Sequence, residues 1–262
     1  MKCIIITKRK LMMLGIIALA VVIGGIAAVS SGKVTDAAAA NRLLPIYCVD
    51  KGEQKLMSIS FDAAWGNEDT PTLIQILDTY NVKATFFVVG DWADKYPESV
   101  KQLADAGHEI MNHSDTHPHM PKLSRQEMGA QIDACNEKIE AITGKRPVLF
   151  RPPYGEYSND LIEVLREREM YCVQWDVDSL DWKNPPSTAI ADRVNKKVKP
   201  GSIALFHNAA VNTPAALPAI IEHLQSEGYT LVPISELIYH ENYTINHEGK
   251  QMPETAPSAT GR

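Results

Sequence analysis

From Lys55 onward, short apolar runs alternate with longer segments in which apolar residues recur every three or four positions. The short runs are typical of buried strands, and the longer segments are typical of amphipathic helices. Because the two alternate without an intervening linker, the pattern predicts one α/β domain on a parallel sheet of about seven to eight strands. Such units can close on themselves, so a (β/α) barrel is the leading expectation and an open doubly wound sheet the alternative. The runs begin near residues 56, 84, 108, 148, 171, 202 and 230.

Several predicted helices carry their own start and stop signals. Ser124 and Glu127 have the spacing of a capping box, and Thr70 is a predicted capping residue before a proline at the first helical position. Gly107 and Gly144 stand where two of the helices should end. These signals support the division into helices and strands.

The first part of the chain has a different pattern. Residues 11–29 carry no charge and directly follow a basic cluster, Lys8 to Lys10. This arrangement predicts either a membrane anchor or a cleaved signal peptide, with the domain outside the cytoplasm or secreted. The chain therefore divides into a cytoplasmic basic segment (1–10), a signal-anchor or signal peptide (11–29), a linker (30–54), a catalytic domain (55–239) and a disordered tail (240–262).

The charge balance argues against a nucleic-acid partner. The net charge is -6, and Lys and Arg do not cluster beyond the first ten residues. Phosphate contacts need such clusters. No nucleic acid is therefore expected to bind.

Ionisable side chains follow almost every predicted strand. In a parallel sheet or barrel these side chains gather at the carboxyl-terminal edge of the strands, where active sites on such folds lie. We therefore expect them to form one site rather than scattered surface charges. They are Asp62, His113, Arg151, Asp176, Asp178 and His207.

Two histidines have a spacing suited to a metal. His113 and His117 are four residues apart, and Pro118 ends any helix there, so the pair is predicted to lie on a loop. Two imidazoles at this spacing can hold a divalent metal, although such a pair is often incidental. His108 and His119 are interpreted as bystanders.

Five short motifs occur in one order along the chain. This ordered set resembles the polysaccharide deacetylases of carbohydrate esterase family 4, and it is most similar to the membrane-anchored sporulation and cell-wall branch of spore-forming bacteria. The resemblance covers about residues 55–238 and implies a distorted (β/α) barrel. The motifs are SFDAAW at 60–65, HSDTHP at 113–118, RPPYG at 151–155, DSLDW at 178–182 and LFH at 205–207.

The resemblance implies metal-dependent removal of N-acetyl or O-acetyl groups from a polysaccharide, peptidoglycan or chitin-like, with release of acetate. The metal would be Zn²⁺, with Co²⁺ or Ni²⁺ as alternatives. The implied roles are Asp62 as general base, His207 as general acid, Arg151 as partner of Asp62, Asp181 (or Asp178) as partner of His207, His113 and His117 as metal ligands, and Tyr154, Trp182 and Leu205 as substrate-binding residues.

The sequence departs from the family pattern at Ala63. The family has a second aspartate here as third metal ligand, and alanine cannot ligate. Either the metal binds more weakly, or Glu68, Asp69 or Asp115 substitutes. Asp62 could also move onto the metal. The alternative function is a catalytically weakened glycan-binding or sporulation protein on the same fold.

Overall fold

The computed structural model describes residues 42–254. All the elements below lie in the unit that begins at Leu44. The predicted segments 1–10 and 11–29 lie outside the described residues. Within residues 42–254, every helix is too short or too polar to cross a bilayer.

A curved sheet of parallel strands forms the centre of the domain. Its strands follow the order β6-β5-β4-β3-β2-β8-β7, and β9 pairs with β2 beside this path. The predicted parallel α/β architecture is confirmed, but the sheet is a curled half-barrel and not the closed barrel expected first, because β6 and β7 end its path and the described strands do not pair these two ends. The strands are β2 (Leu56–Ala63), β3 (Thr85–Val88), β4 (Glu109–Asn112), β5 (Leu149–Phe150), β6 (Tyr171–Cys172), β7 (Val177–Asp178), β8 (Ile203–His207) and β9 (Thr230–Leu231).

Helices connect the strands. The longest begins after Ser124, whose side chain accepts from the Glu127 N–H in the predicted capping box, and it ends at Gly144 with φ 72°. The helices are α1 (Thr70–Thr79), α2 (Gly90–Lys95), α3 (Pro97–Asp105), α4 (Arg125–Thr143), α5 (Asn159–Arg166), α6 (Ser187–Asn195), α7 (Thr213–Ser226) and α8 (Ile234–Leu237).

The start of α1 corrects one prediction. Thr70 is the first helical residue and not the cap, because Asp69 occupies the cap position. The Asp69 side chain makes no capping hydrogen bond there. It accepts instead from the Ala209 N–H at 2.8 Å, so this carboxylate joins two loops.

Side chains of β2 alternate between two layers. Phe61 and Ala63 are buried in the apolar cluster between the sheet and the helices. Ser60 and Asp62, the polar residues that alternate with them, face the inner side of the curved sheet, where both contact Arg151. This alternation explains the SISFDA pattern, since the two faces of β2 meet different environments.

The predicted linker and tail are partly structured, which corrects both boundaries. Inside the predicted linker, β1 (Cys48–Val49) pairs with β11 (Lys250–Pro253), and β11 also pairs with β10 (Tyr243–Ile245). Ile46 and Val49 are buried in the inner apolar cluster. These three strands are short and bury few side chains, so they lack the apolar pattern by which the other strands were predicted.

Candidate active site

Strand register brings the predicted residues to one edge of the sheet. Asp62 on β2 is the direct neighbour of His207 on β8. One step further along the sheet, the N–H of His113 donates to the Val88 carbonyl at 3.0 Å. These residues lie at the carboxyl ends of the strands, as the sequence predicted.

A buried ion pair stands at the centre of this edge. Arg151 Nη1 donates to Asp62 Oδ1 at 2.9 Å. Nη2 of the same arginine donates to Ser60 Oγ at 2.8 Å and to the Gln174 carbonyl at 3.1 Å. The Arg151 side chain is fully buried and lies over the Phe87 ring. The guanidinium therefore fixes Asp62 in position.

The surroundings of Asp62 keep it ionised. Burial raises the pKa of Asp62, but His113, Arg151 and His207 together outweigh burial, and the pKa falls below its ordinary value. The carboxylate is therefore charged at neutral pH. Its second oxygen lies 3.5 Å from His113 Nε2.

A second acid-base pair lies beside the first. His207 Nδ1 lies 2.7 Å from Asp181 Oδ1, and Asp181 Oδ2 accepts from the His207 N–H and from Thr213 Oγ1, each at 2.8 Å. Burial lowers the pKa of His207, but the hydrogen bond with Asp181 and the charge of Asp62 outweigh it and raise the pKa overall. Asp178 instead accepts from the Leu180 N–H at 2.8 Å. The structure therefore pairs His207 with Asp181.

The two candidate metal ligands lie together on the β4 loop. Their ring centroids are 5.0 Å apart. His113 Nδ1 donates to the Arg151 carbonyl at 2.7 Å, since that oxygen can only accept, and this leaves Nε2 with a free lone pair. Burial lowers the pKa of both histidines, that of His117 to about 4, with help from His113. Both rings are thus neutral at pH 7 and able to ligate.

A third protein ligand does not join them. Within residues 42–254, no group of three or more His, Cys, Asp or Glu side chains could hold a metal ion. Asp115 binds Lys138 at 2.6 Å, Asp69 accepts from the Ala209 N–H, and Glu68 accepts from the Asn67 N–H. The donor set fits two imidazoles and does not fit a three-ligand site.

A cavity of about 490 Å³ opens above these groups. The three predicted substrate-binding residues, Tyr154, Trp182 and Leu205, all line it. Tyr154 adopts φ 60°, a strained backbone conformation for a non-glycine residue that is often found at functional sites. The lining comprises Asp62, Trp65, His113, His117, Tyr154, Trp175, Asp178, Trp182, Leu205 and His207.

Sequence reasoning missed the residues that hold the acid-base pairs. Ser60 and Gln174 bind Arg151, and Thr213 binds Asp181. A signal for Ser60 was available, because it shares the polar face of β2 with Asp62. Gln174 acts through its backbone carbonyl, which every residue type has. Thr213 lies in a helix that is distant in sequence from Asp181. The sequence therefore contained no signal for either residue.

Comparison with known proteins identifies relatives. Residues 50–173 match the family described as Polysaccharide deacetylase. The chain is 36% identical over 196 residues to YlxY of Bacillus subtilis, covering 74% of this chain and 60% of that protein. It is 34% identical over 185 residues to a peptidoglycan-N-acetylglucosamine deacetylase of Bacillus cereus, covering 69% of this chain and 67% of that protein.

Solved structures agree with these matches. A carbohydrate esterase family 4 pseudoenzyme from Bacillus anthracis superposes with a TM-score of 0.71 at 36% identity, covering 74% of this chain and 68% of that chain. A mutant of the same pseudoenzyme, described as having restored enzymatic activity, superposes equally well at 0.71. With sequence, fold and relatives in agreement, the chain belongs to the polysaccharide deacetylase family.

Proposed function

We propose that the domain removes acetyl groups from a cell-wall polysaccharide, with the N-acetyl groups of peptidoglycan or a chitin-like glycan as first substrates. One observation carries this proposal. Asp62 and His207 lie side by side on neighbouring strands and line the same cavity, and each is held by a fully buried partner, Arg151 for Asp62 and Asp181 for His207. A protein that only binds glycan has no need of both.

Asp62 acts as general base in this proposal. Its charge is maintained by Arg151, and its second oxygen faces the cavity side of the site rather than the guanidinium. It takes a proton from the water that attacks the acetyl carbon. A positioned base of this kind contributes about 10²- to 10⁴-fold to the rate.

His207 acts as general acid. Its Nδ1 is held by Asp181, which leaves Nε2 for the cavity, and its raised pKa keeps the ring protonated to higher pH. The imidazolium gives its proton to the departing amine. Leu205 and Trp182 bound the space for the acetyl methyl group, and the backbone N–H of Tyr154 is assigned to the acyl oxygen.

The proposal includes a divalent cation held by His113 and His117, Zn²⁺ first and Co²⁺ or Ni²⁺ as alternatives. Such an ion lowers the pKa of a water molecule and polarises an acyl oxygen. His113 and His117 would hold the ion through their ring nitrogens, and Asp62 Oδ2 lies 3.5 Å from His113 Nε2. Shared use of Asp62 would compete with its role as base, so we expect weak metal binding.

The experiment measures acetate release from N-acetylglucosamine oligomers, peptidoglycan and acetylxylan, with each of the three metals and with a chelator. We expect release from the first two substrates in the presence of metal and a sharp fall with chelator. Release that survives chelation would remove the metal from the proposal. No release from any substrate would overturn the proposed activity.

A second candidate is a non-catalytic glycan-binding protein. It is favoured by Ala63, which cannot ligate a metal, together with the similarity to a family 4 pseudoenzyme. Glycan binding without turnover under every metal condition would support it. The location outside the cytoplasm, attachment to a membrane and a role in sporulation are further proposals that rest on the N-terminal pattern and the family branch.

The alkaline limit of activity should move when Asp181 is changed. Because Asp181 helps to raise the pKa of His207, Asp181→Asn should lower that pKa and shift the alkaline limb of the rate profile to lower pH. Acetate release against pH measures the shift. Asp178→Asn is the matched comparison: Asp178 raises the pKa of His207 through its charge alone and accepts from the Leu180 N–H, so its removal should give a smaller shift in the same direction. An equal shift in both variants would contradict the pairing.

A further inference from the structure

Four aromatic rings form a continuous row along the edge of the cavity. Trp65 packs edge-on against His117 with centroids 5.3 Å apart, and His117 packs edge-on against Tyr154 at 4.6 Å. The Tyr154 ring then stacks on His119 at 4.4 Å with an interplanar angle of 18°. We call these four residues the aromatic row. It joins the loops after β2, β4 and β5.

The row presents large apolar surface to solvent. Trp65 is 60% exposed and Tyr154 is 57% exposed, although both line the cavity. Exposed aromatic rings gathered beside a cavity indicate a binding surface more often than a surface accident. The acid-base chemistry proposed above gives no role to the Trp65 ring or to His119.

Hydrogen bonds fix the loop that carries Trp65. Asn208, buried directly after His207, donates through Nδ2 to the carbonyls of Trp65 and Gly66. Its Oδ1 accepts from the Ala64 N–H at 3.1 Å, and Trp92 Nε1 also donates to the Gly66 carbonyl. The backbone on both sides of Trp65 is therefore held in place before any ligand arrives, and the ring rests edge-on against His117. A preformed loop of this kind lowers the entropy lost on binding.

The other end of the row is also fixed. His119 Nδ1 lies 2.8 Å from Glu156 Oε2, and the strained backbone of Tyr154 sets its ring flat against His119. Pro152 and Pro153 stiffen the same turn. A rigid row longer than one sugar ring suits a polymer, because pyranose rings present apolar C–H faces that stack on aromatic rings.

We propose that the aromatic row binds a glycan chain by ring stacking, and that Trp65 holds a sugar unit beside the one whose acetyl group enters the cavity. The assignment of the neighbouring unit rests on the proposed function. Stacking itself does not, since it needs no turnover. The ligand is a chain of acetylated hexopyranose units, not a single sugar.

The test compares tetra-N-acetylchitotetraose with N-acetylglucosamine by titration calorimetry on the full-length protein. Trp65→Ala should weaken binding of the tetrasaccharide about fivefold to tenfold and change binding of the monosaccharide much less. Trp65→Phe should restore most of the lost affinity. Val211→Ala is the control, because Val211 is 77% exposed and is not part of the cavity lining, and it should bind as the wild type.

The outcomes separate this inference from the proposed function. If the wild type releases no acetate but Trp65→Ala binds the tetrasaccharide more weakly, the aromatic row is supported as a binding surface and the proposed activity is overturned. Unchanged affinity and unchanged KM in Trp65→Ala, in a protein that does release acetate, would overturn the row alone. Failure of the wild type to bind the tetrasaccharide would also overturn it.

Discussion

Asp62→Asn is expected to lower acetate release by about 10²- to 10⁴-fold, because it removes the proposed base while keeping the size of the side chain. The same change leaves the Arg151 guanidinium buried without its counter-charge. Breaking a buried ion pair on one side costs about 3 kcal/mol of unfolding free energy. Both activity and stability should therefore fall, and chemical denaturation measures the second.

Asp133→Asn provides a matched control. Asp133 binds Arg168 through two hydrogen bonds of 2.8 Å, but this pair lies at the surface, with 40% of the Asp133 side chain exposed. Surface pairs contribute about 0–1 kcal/mol, so stability should change little and acetate release should not change. Equal losses in the two variants would show that burial of the Asp62 pair is not what matters.

Arg151→Met distinguishes the charge from the packing. Alone, Arg151→Met should destabilise the domain, because Asp62 would remain buried and charged. Combined with Asp62→Asn, it should recover much of the lost unfolding free energy.

The pH dependence of stability that Asp62 contributes has a definite sign. The pKa of Asp62 is lowered, so its contribution to stability is present above the pKa of the unfolded chain and is lost as pH falls through the folded value.

Ala63→Asp is expected to tighten Zn²⁺ binding by about tenfold or more and to raise acetate release, at a cost to the metal-free protein. Ala63 packs in the apolar layer between sheet and helices, on the opposite side of β2 from Asp62. A carboxylate buried in this apolar layer costs about 1–3 kcal/mol of unfolding free energy. This cost favours a change in the backbone at the end of β2 that turns the new side chain toward His113 and His117. Without metal the melting temperature should fall; with Zn²⁺ it should rise again.

Ala63→Asn has nearly the same size and carries no charge, so it should destabilise the protein without strengthening metal binding. Calorimetry and thermal melts of both variants, with and without Zn²⁺, measure the difference. If Zn²⁺ binds Ala63→Asp no more tightly than the wild type, the end of β2 does not turn, and the third ligand position is not at residue 63.

Much of the site could be predicted because parallel strands convert order in sequence into position in space. Ionisable residues that follow apolar runs, such as Asp62, His113 and His207, reach the same edge of the sheet. Asp176 is the exception, and its prediction was wrong: it precedes β7, and its carboxylate accepts from Ser202 Oγ and the Ile203 N–H at the start of β8. The choice between Asp178 and Asp181 could not be made this way, since Asp178 ends β7 and Asp181 follows only three residues later. The tight turn at Leu180, with φ 56°, decides it by directing Asp181 toward His207.

Two features of the sequence disagree about the position of Ala63. The motif comparison aligns Ala63 with a ligand position, whereas strand alternation places it among apolar side chains. The aromatic row was missed because its rings come from three loops. Trp65, Tyr154 and His119 are far apart in sequence, and only the curvature of the sheet brings them together.

The pairing of β1 with β11 bears on how the domain can be shortened. Asp50 N–H donates to the Gln251 carbonyl at 2.8 Å, and the buried Gln251 side chain binds both backbone groups of Tyr239. A fragment trimmed to the predicted limits, Lys55 and Tyr239, would lose Ile46 and Val49 from the inner apolar cluster. It would also lose the hydrogen bonds that Gln251 makes. We therefore expect a stable fragment to begin before Ile46 and to continue past Gln251.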